Sequence, residues 1–178
     1  MPVYKLFILK INNILRRLRF FFYFRKKGWM DRGVNINSLG KFNIGRGCII
    51  GKNVNINIAQ NGFLEISENV SIGANSQIEV EKAVQIGSNV TLSNNVFIAD
   101  VTHKFPTVSI DGCRKIITLD TVVISEGCWL GRNVFVNPGC SISDHNIIAA
   151  NSVVTKTIID SWGLYGGIPA KLIKDIDI

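Results

Sequence analysis

A six-residue repeat of aliphatic side chains restricts the fold of this chain more than any other feature. It occupies Ile44, Ile50, Ile56, Ile66, Ile72, Ile78, Ile86, Leu92, Ile98, Ile124, Leu130, Val136, Ile142, Ile148 and Val154. A period of six matches neither the 3.6 residues of a helix nor the two of an extended strand. It predicts short parallel strands stacked into about five coils, an all-β solenoid. A β-sandwich is the weaker alternative, because its strands alternate and vary in length.

The third residue after each aliphatic position predicts where the coils turn. Gly or Asn stands at ten of these 15 positions, and both residues readily adopt a left-handed backbone. His145 occupies the same place in its unit, so we interpret it as a turn residue. The next position is small or β-branched and includes three of the four cysteines, which indicates thiols that pack in a reducing, cytoplasmic setting.

Two motifs carry a resemblance to a known family. The unit "IGSNVT" and the ending "NSVVTK" followed by "GGIPAKLI" are similar to the hexapeptide-repeat acyltransferases, in their sugar O-acetyltransferase branch with the maltose, galactoside, capsule and O-antigen enzymes. The resemblance covers about residues 34–174. It implies a left-handed parallel β-helix over residues 33–178, with a short C-terminal helix. It also implies a homotrimer that binds acetyl-CoA between neighbouring subunits, without a metal.

The repeat stops between Lys104 and about Ile117, and His103 stands at the entrance of this interruption. Long interruptions in compact folds are usually functional, so we expect a protruding loop over residues 104–117. A neutral imidazole suits proton removal from a hydroxyl, and the resemblance places a catalytic histidine at His103. Asp100 or a backbone carbonyl would orient its ring. Without the resemblance, the alternative interpretation of His103 is a solvent-exposed loop histidine.

The resemblance also implies a set of cofactor-binding residues in the last coils. It places Gly131, Ala149 and Ala150 beside the pantetheine, and Trp129 at the acetyl end or in packing. Further cofactor contacts are expected at Thr155, Lys156, Lys171 and Lys174, with the last two facing the nucleotide phosphates. Lys156 and Lys171 should belong to a different subunit from the His103 that they serve.

Residues 1–32 differ in charge from the rest of the chain. They contain nine Lys or Arg residues and one acid, Asp31, whereas the remainder contains 11 basic and 12 acidic residues. An apolar helical face is predicted at Val3, Phe7, Ile11, Ile14, Leu18 and Phe21. This segment therefore either anchors the protein to the inner face of the plasma membrane through residues 1–30, or caps the solenoid or packs within the trimer. No 18-residue apolar stretch predicts a transmembrane helix, and nothing in the body supports nucleic-acid binding.

These observations predict an acetyl-CoA-dependent O-acetyltransferase that acts on a sugar hydroxyl in bacterial surface polysaccharide synthesis. Transfer would be direct, with His103 as the general base. An amino-sugar N-acetyltransferase and a non-catalytic β-helix scaffold are the alternatives. A zinc enzyme of the β-helical carbonic anhydrase type needs three histidine ligands, and the chain contains two histidines.

Overall fold

The computed structural model describes residues 3–103, 116–118, 120–158 and 160–176, which form a helix and a parallel β-solenoid. Each of the first five coils contributes one short strand to each of three sheets, which we call A, B and C, and the sixth coil meets sheet C through a single bridge at Ile158. The chain turns between them at three corners, named A–B, B–C and C–A after the sheets that they join. Six coils stack in parallel register, one more than expected, because Met30 and Ile36 in the first coil and Ile158 in the last add three core positions to the 15 of the repeat.

Helix α1 (Val3–Phe24) precedes all the strands of the solenoid. Sheet A contains β1 (Trp29–Met30), β4 (Ile49–Ile50), β7 (Ser71–Ile72), β10 (Thr91–Leu92), β15 (Trp129–Leu130), β18 (Ile147–Ile148), β20 (Gly163–Gly166) and β21 (Lys171–Asp175). Sheet B contains β2 (Asn35–Ser38), β5 (Asn55–Ile58), β8 (Gln77–Val80), β11 (Phe97–Ala99), β16 (Phe135–Val136) and β19 (Val153–Val154). Sheet C contains β3 (Lys41–Ile44), β6 (Phe63–Ile66), β9 (Ala83–Ile86), β14 (Val122–Ile124) and β17 (Ser141–Ile142). A separate antiparallel pair joins β12 (Val101–His103) to β13 (Ile116–Thr118).

The predicted repeat positions form the core, and all 15 aliphatic residues are buried. The predicted turn positions have left-handed φ angles, among them 55° at Asn53 and 76° at Gly47. His145 has a φ of 58° and so is a turn residue, as predicted. Asparagine side chains at the A–B corner also bond to one another between coils, with Asn133 Nδ2 donating to Asn151 Oδ1 at 2.8 Å.

The three cysteines that share a repeat position are buried thiols within the core. Cys128 Sγ donates to the carbonyl oxygen of Ser143 at 3.0 Å, and Cys48 Sγ donates to that of Ser67 at 3.2 Å. Burial raises the pKa of Cys128 to about 11, so its thiol stays protonated at neutral pH. These contacts confirm the packing interpretation for these three residues; Cys113 lies outside the described residues.

The C-terminal half of α1 covers the open end of the first coil. Phe20 is fully buried in the core, and Phe24 packs edge-on against Phe42 with ring centroids 6.3 Å apart. Arg16 Nε lies 2.7 Å from a carboxylate oxygen of Asp31. The amphipathic helix is thus confirmed, and its capping face is formed by Phe20 and Phe24. The described part of the chain contains no helix with enough apolar length to cross a membrane.

The two ends of the solenoid differ from the sequence-based expectation. The first coil begins at Trp29, inside the 1–32 segment that was predicted to precede the solenoid. The prediction of a short C-terminal helix is wrong, because residues 163–166 and 171–175 are strands. Strand β21 folds back antiparallel onto β20, and this pairing satisfies the backbone groups of the last coil that no further coil could satisfy.

Candidate functional site

A groove of about 670 Å³ runs along the outer face of sheet A, from the third coil to β20, the strand that follows the sixth coil. Its floor is a column of outward side chains in register, one from each strand: Ser71, Thr91, Trp129, Ile147 and Leu164. Lys174 of β21 stands opposite Leu164 and continues the column by one strand. The column thus changes from hydroxyl groups through an aromatic and aliphatic centre to a cation.

Trp129 projects from the middle of this groove. Its side chain is half exposed, and Nε1 donates to Ser93 Oγ at 3.0 Å. The indole therefore lies along the groove rather than in the core, which favours the predicted role at a ligand site over that of a packing residue. Ser93 itself was not predicted from the sequence, although its position directly after a sheet A strand is the one that Gly131 occupies in the next coil.

The A–B corner forms one wall of the groove, and Gly131, Ala149 and Ala150 lie on it. A Cβ atom on Gly131 would come within 2.6 Å of the Ala150 nitrogen, so only glycine permits this close stacking of coils. In the fourth coil, two coils before Ala150, Asn94 Oδ1 accepts a hydrogen bond from the N–H of Ala74 in the third coil. The equivalent positions above Asn94 are Arg132 and Ala150, whose side chains offer no acceptor.

This difference leaves polar backbone groups available at the groove. The N–H groups that would pair with side chains at these two positions are those of Asn94 and Arg132, and among the described residues no hydrogen bond takes them up. Unpaired backbone N–H groups tend to bind acceptors such as amide carbonyl or phosphate oxygens. The A–B corner therefore combines small side chains with free donors, which suits an extended polar ligand that approaches the backbone closely.

His103 is the last residue of β12, and its backbone pairs with Ile116 of β13. These two strands leave the solenoid at the B–C corner of the fourth coil. In a three-sided coil, the B–C corner is the vertex opposite sheet A, so His103 and the groove lie on opposite sides of one chain. The predicted loop over residues 104–117 falls mainly outside the described residues, as does the side chain of His103.

Asp100 has well-defined partners. Its side chain is fully buried, and its carboxylate accepts hydrogen bonds from the backbone N–H groups of Glu81, Lys82 and Ala83, at 2.7, 2.7 and 2.6 Å. Both oxygens are used, so Asp100 fastens the start of the β12–β13 hairpin to the B–C corner of the coil below. Orientation of the His103 ring by Asp100 stays a prediction, whereas these contacts give Asp100 a structural role.

The structure separates the other predicted cofactor residues into two sets. Lys171 and Lys174 lie on β21, the sheet A strand at the end of the groove. Thr155 and Lys156 follow β19 and lie exposed at the B–C corner of the sixth coil, away from the groove of the same chain. The described residues contain no cluster of three or more potential metal-ligating side chains.

Two segments of the chain match models of hexapeptide-repeat families. Residues 121–156 match the bacterial transferase hexapeptide (six repeats), and residues 64–99 match the hexapeptide repeat of succinyl-transferase. Both segments lie within the solenoid, on either side of the hairpin. The fold and the repeats define a hexapeptide-repeat protein.

Several curated proteins that are similar to this chain are named as acetyltransferases. The chain is 33% identical over 90 residues to a putative lipopolysaccharide biosynthesis O-acetyl transferase, WbbJ, of Escherichia coli K12, covering 47% of this chain and 45% of that protein. It is 36% identical over 56 residues to the galactoside O-acetyltransferase of the same organism, covering 32% and 27%. Over these segments the chain is similar to hexapeptide-repeat proteins and to proteins named as galactoside, lipopolysaccharide and colanic acid acetyltransferases. Each of these matches spans less than half the length of the relative.

Solved structures share the fold at low sequence identity. A mutant of AntD, an N-acyltransferase from Bacillus cereus in complex with dTDP and coenzyme A, aligns with a TM-score of 0.73 and 19% identity, covering 85% of this chain and 82% of that one. A hexapeptide-repeat acetyltransferase from Vibrio cholerae O1 biovar eltor, complexed with acetyl coenzyme A, aligns with a TM-score of 0.66 and 21% identity, covering 76% and 71%. These similarities confirm the solenoid fold.

Proposed function

We propose that this protein is an acetyl-CoA-dependent O-acetyltransferase that modifies a sugar hydroxyl in bacterial surface polysaccharide synthesis. The observation that carries the proposal is the sheet A groove, with its small wall residues and free N–H groups at the A–B corner. The relatives named for galactoside and lipopolysaccharide O-acetylation support the sugar as acceptor. The buried cysteine thiols are consistent with action in the cytoplasm, where thiols stay reduced.

The groove residues have separate roles in holding acetyl-CoA. Gly131, Ala149 and Ala150 let the pantetheine lie against the backbone, where the free N–H groups of the corner meet its amide oxygens. Trp129 covers the thioester end. Lys171 and Lys174 at the far end of sheet A provide positive charge for the phosphates. Contacts from Thr155 and Lys156 stay a prediction that requires a neighbouring subunit.

The proposed reaction is a direct transfer. His103 accepts the proton of the sugar hydroxyl while the hydroxyl oxygen forms a bond to the thioester carbonyl carbon. Backbone N–H donors stabilise the negative charge that develops on the carbonyl oxygen. The carbon–sulfur bond then breaks, and the proton held by His103 passes to the departing thiolate, which leaves as coenzyme A. The products are the acetylated sugar and free thiol.

A complete site requires more than one subunit in this proposal. Within one chain, the backbone of His103 leaves the vertex opposite the sheet A groove. Sheet B separates the two, and its width of about five residues corresponds to roughly 16 Å. We therefore propose a homotrimer in which His103 of one subunit serves the groove of its neighbour.

Blocking the groove should weaken acetyl-CoA binding. We expect Ala150→Glu to raise KM for acetyl-CoA at least about tenfold, because an exposed carboxylate would occupy the wall and repel the phosphates. Ala74→Glu is the matched control, since Ala74 holds the same corner position three coils earlier and does not line the groove. Initial rates at varied acetyl-CoA measure both. Equal KM values for the two variants would contradict the assignment of the groove.

Shared sites predict rescue in mixed trimers. At acetyl-CoA concentrations well below the raised KM of Ala150→Glu, we expect His103→Ala chains and Ala150→Glu chains each to have low activity alone but to regain activity when mixed, because some interfaces then join an intact histidine to an intact groove. Differently tagged chains, refolded together and purified through both tags, provide the hybrids. Hybrids that are demonstrably mixed and show no activity above the two parents would exclude a site between subunits.

O-transfer and N-transfer differ in the sugar group that accepts the acetyl group, a hydroxyl or an amine. AntD is named as an N-acyltransferase, so an amino-sugar acceptor is the second candidate. Free thiol release should be measured with acetyl-CoA and a panel of sugars that includes matched amino sugars. We expect turnover with a hydroxyl acceptor. Turnover with amino sugars alone would replace O-transfer by N-transfer, and no turnover with any acceptor would favour a scaffold.

A further inference from the structure

Helix α1 has two apolar faces on opposite sides of its axis. The inner face, with Phe20 and Phe24, packs on the first coil. At 3.6 residues per turn, a second set of apolar residues falls within a stripe about 120° wide, centred opposite Phe20. We call this set the outer stripe; its members are Ile11, Ile14, Leu15, Leu18, Phe21 and Phe22, and each is exposed.

Cations border the outer stripe on both sides. Arg17 and Arg19 fall on opposite flanks of the stripe, and the exposed Arg25 and Lys27 follow directly after the helix. Residues 1–32 contain nine Lys or Arg residues against the single acid Asp31, which is paired with Arg16. An apolar stripe between cationic flanks is the arrangement of helices that lie in the interface of an anionic membrane.

We propose that the outer stripe binds the surface of an anionic lipid membrane while the inner face of the same helix caps the solenoid. The sequence alone presented capping and membrane binding as alternatives. The opposed faces make the two roles compatible, because the residues that cap the core are not those that would enter the membrane. Phe22, with 66% of its surface exposed, and Phe21 would lie at the headgroup boundary, which aromatic side chains favour.

A second copy of this chain is the rival occupant of the outer stripe. Charge argues against it, because two such segments would each bring a net charge of +8 to one interface. An anionic membrane instead complements that charge. A trimer would present three such helices to one membrane, and linked weak contacts bind far more strongly than one.

The position of α1 also suggests where an acceptor would be met. The helix lies across the first coil, and the β12–β13 hairpin leaves the fourth coil, roughly 14 Å further along the axis at 4.8 Å per coil. With the helix on the membrane, the solenoid would rise from the surface and hold His103 above it. If the proposed acetyl transfer is correct, this geometry favours a glycan carried on a membrane lipid as the acceptor.

Vesicle flotation of the full chain tests the membrane proposal without relying on catalysis. We expect the native protein to float with vesicles of phosphatidylglycerol and phosphatidylcholine and not with phosphatidylcholine alone. The double variant Leu18→Gln with Phe22→Gln should bind at least tenfold more weakly and keep its melting temperature. The matched control is Leu39→Gln with Ile168→Gln, which removes two exposed apolar side chains from the body and should float like the native protein.

The outcomes separate the membrane from its rivals. Unchanged flotation of the Leu18/Phe22 variant, or no flotation of the native chain, overturns the proposal. If the native chain does not float, and the oligomer of the Leu18/Phe22 variant dissociates in sedimentation, the outer stripe is a contact between copies of the chain. With a soluble acceptor, native chain and variant should turn over equally, whereas a lipid-linked acceptor in vesicles should favour the native chain. Flotation without turnover of any acceptor would refute the proposed chemistry and leave the membrane site standing.

Discussion

Replacing His103 with alanine is expected to lower kcat for acetyl transfer by about 10²–10⁴, the usual contribution of a general base. The sugar hydroxyl is a weak nucleophile near neutral pH, and without an imidazole its proton would have to pass to water. The oligomer and its melting temperature should be unchanged, because β12 is held by backbone pairing with β13 and by Asp100 rather than by the histidine side chain. Steady-state rates at saturating acetyl-CoA and acceptor measure the effect.

The other histidine provides the matched control. His145 has a left-handed backbone and stacks on Trp162 with ring centroids 4.2 Å apart. Asparagine occupies the equivalent turn in other coils, so His145→Asn should keep nearly full activity and lose only the stacking contact. If His103→Ala retains more than about a tenth of native turnover, or His145→Asn loses most of it, the two histidines have been assigned to the wrong roles.

The six-residue repeat predicted the core because each of its signals is local. An aliphatic residue that points inward and a left-handed residue three positions later are set within a single strand and turn, so neighbouring coils do not alter them. Ile50 and Asn53 illustrate this, one fully buried and the other at a φ of 55°. Left-handed coiling was implied by the family resemblance and not by the spacing.

The ends of the solenoid depend on contacts distant in sequence, and there the predictions were weaker. Helical periodicity identified α1, yet it selected Ile11, Ile14, Leu18 and Phe21 as the apolar face, while the core is covered by Phe20 and Phe24. Residues 171–175 form a strand because β20 offers an unpaired edge. Neither an open coil end nor a free edge is visible in the pattern of a single segment.

The candidate site shows the same division. The motif placed Trp129, Gly131, Ala149 and Ala150 in one groove, since they lie on or directly after two adjacent strands of sheet A. Each six-residue unit takes the chain around one corner. Thr155 and Lys156 follow Ala149 and Ala150 by one unit, so they lie on another side of the solenoid. Arg132 and Ser93 were missed, although each stands beside a predicted residue. Arg132 contributes its backbone N–H to the groove. That N–H is free because Ala150, at the equivalent position of the next coil, has no side-chain acceptor.

The second large effect is expected at Asp100, on stability rather than on chemistry. Asp100→Ala would leave three backbone N–H groups without their acceptor, which we expect to destabilise the fold by about 2–4 kcal/mol. For a chain of this length, that corresponds to a fall in melting temperature of roughly 5–15 °C. Asp100→Asn should also destabilise, because its amide nitrogen would face at least one of the same donors.

Asp120 provides the matched control on the same corner. It pairs with the Lys82 side chain at 3.2 Å and its own side chain is 91% exposed, so Asp120→Asn should shift the free energy of unfolding by less than about 1 kcal/mol. Thermal unfolding and turnover of all three variants separate the two roles of Asp100. A structural anchor predicts a lower melting temperature, with activity that recovers when assays are run well below it. If Asp100→Asn melts like the native protein and loses more than tenfold in kcat, the carboxylate serves the His103 ring instead of the corner.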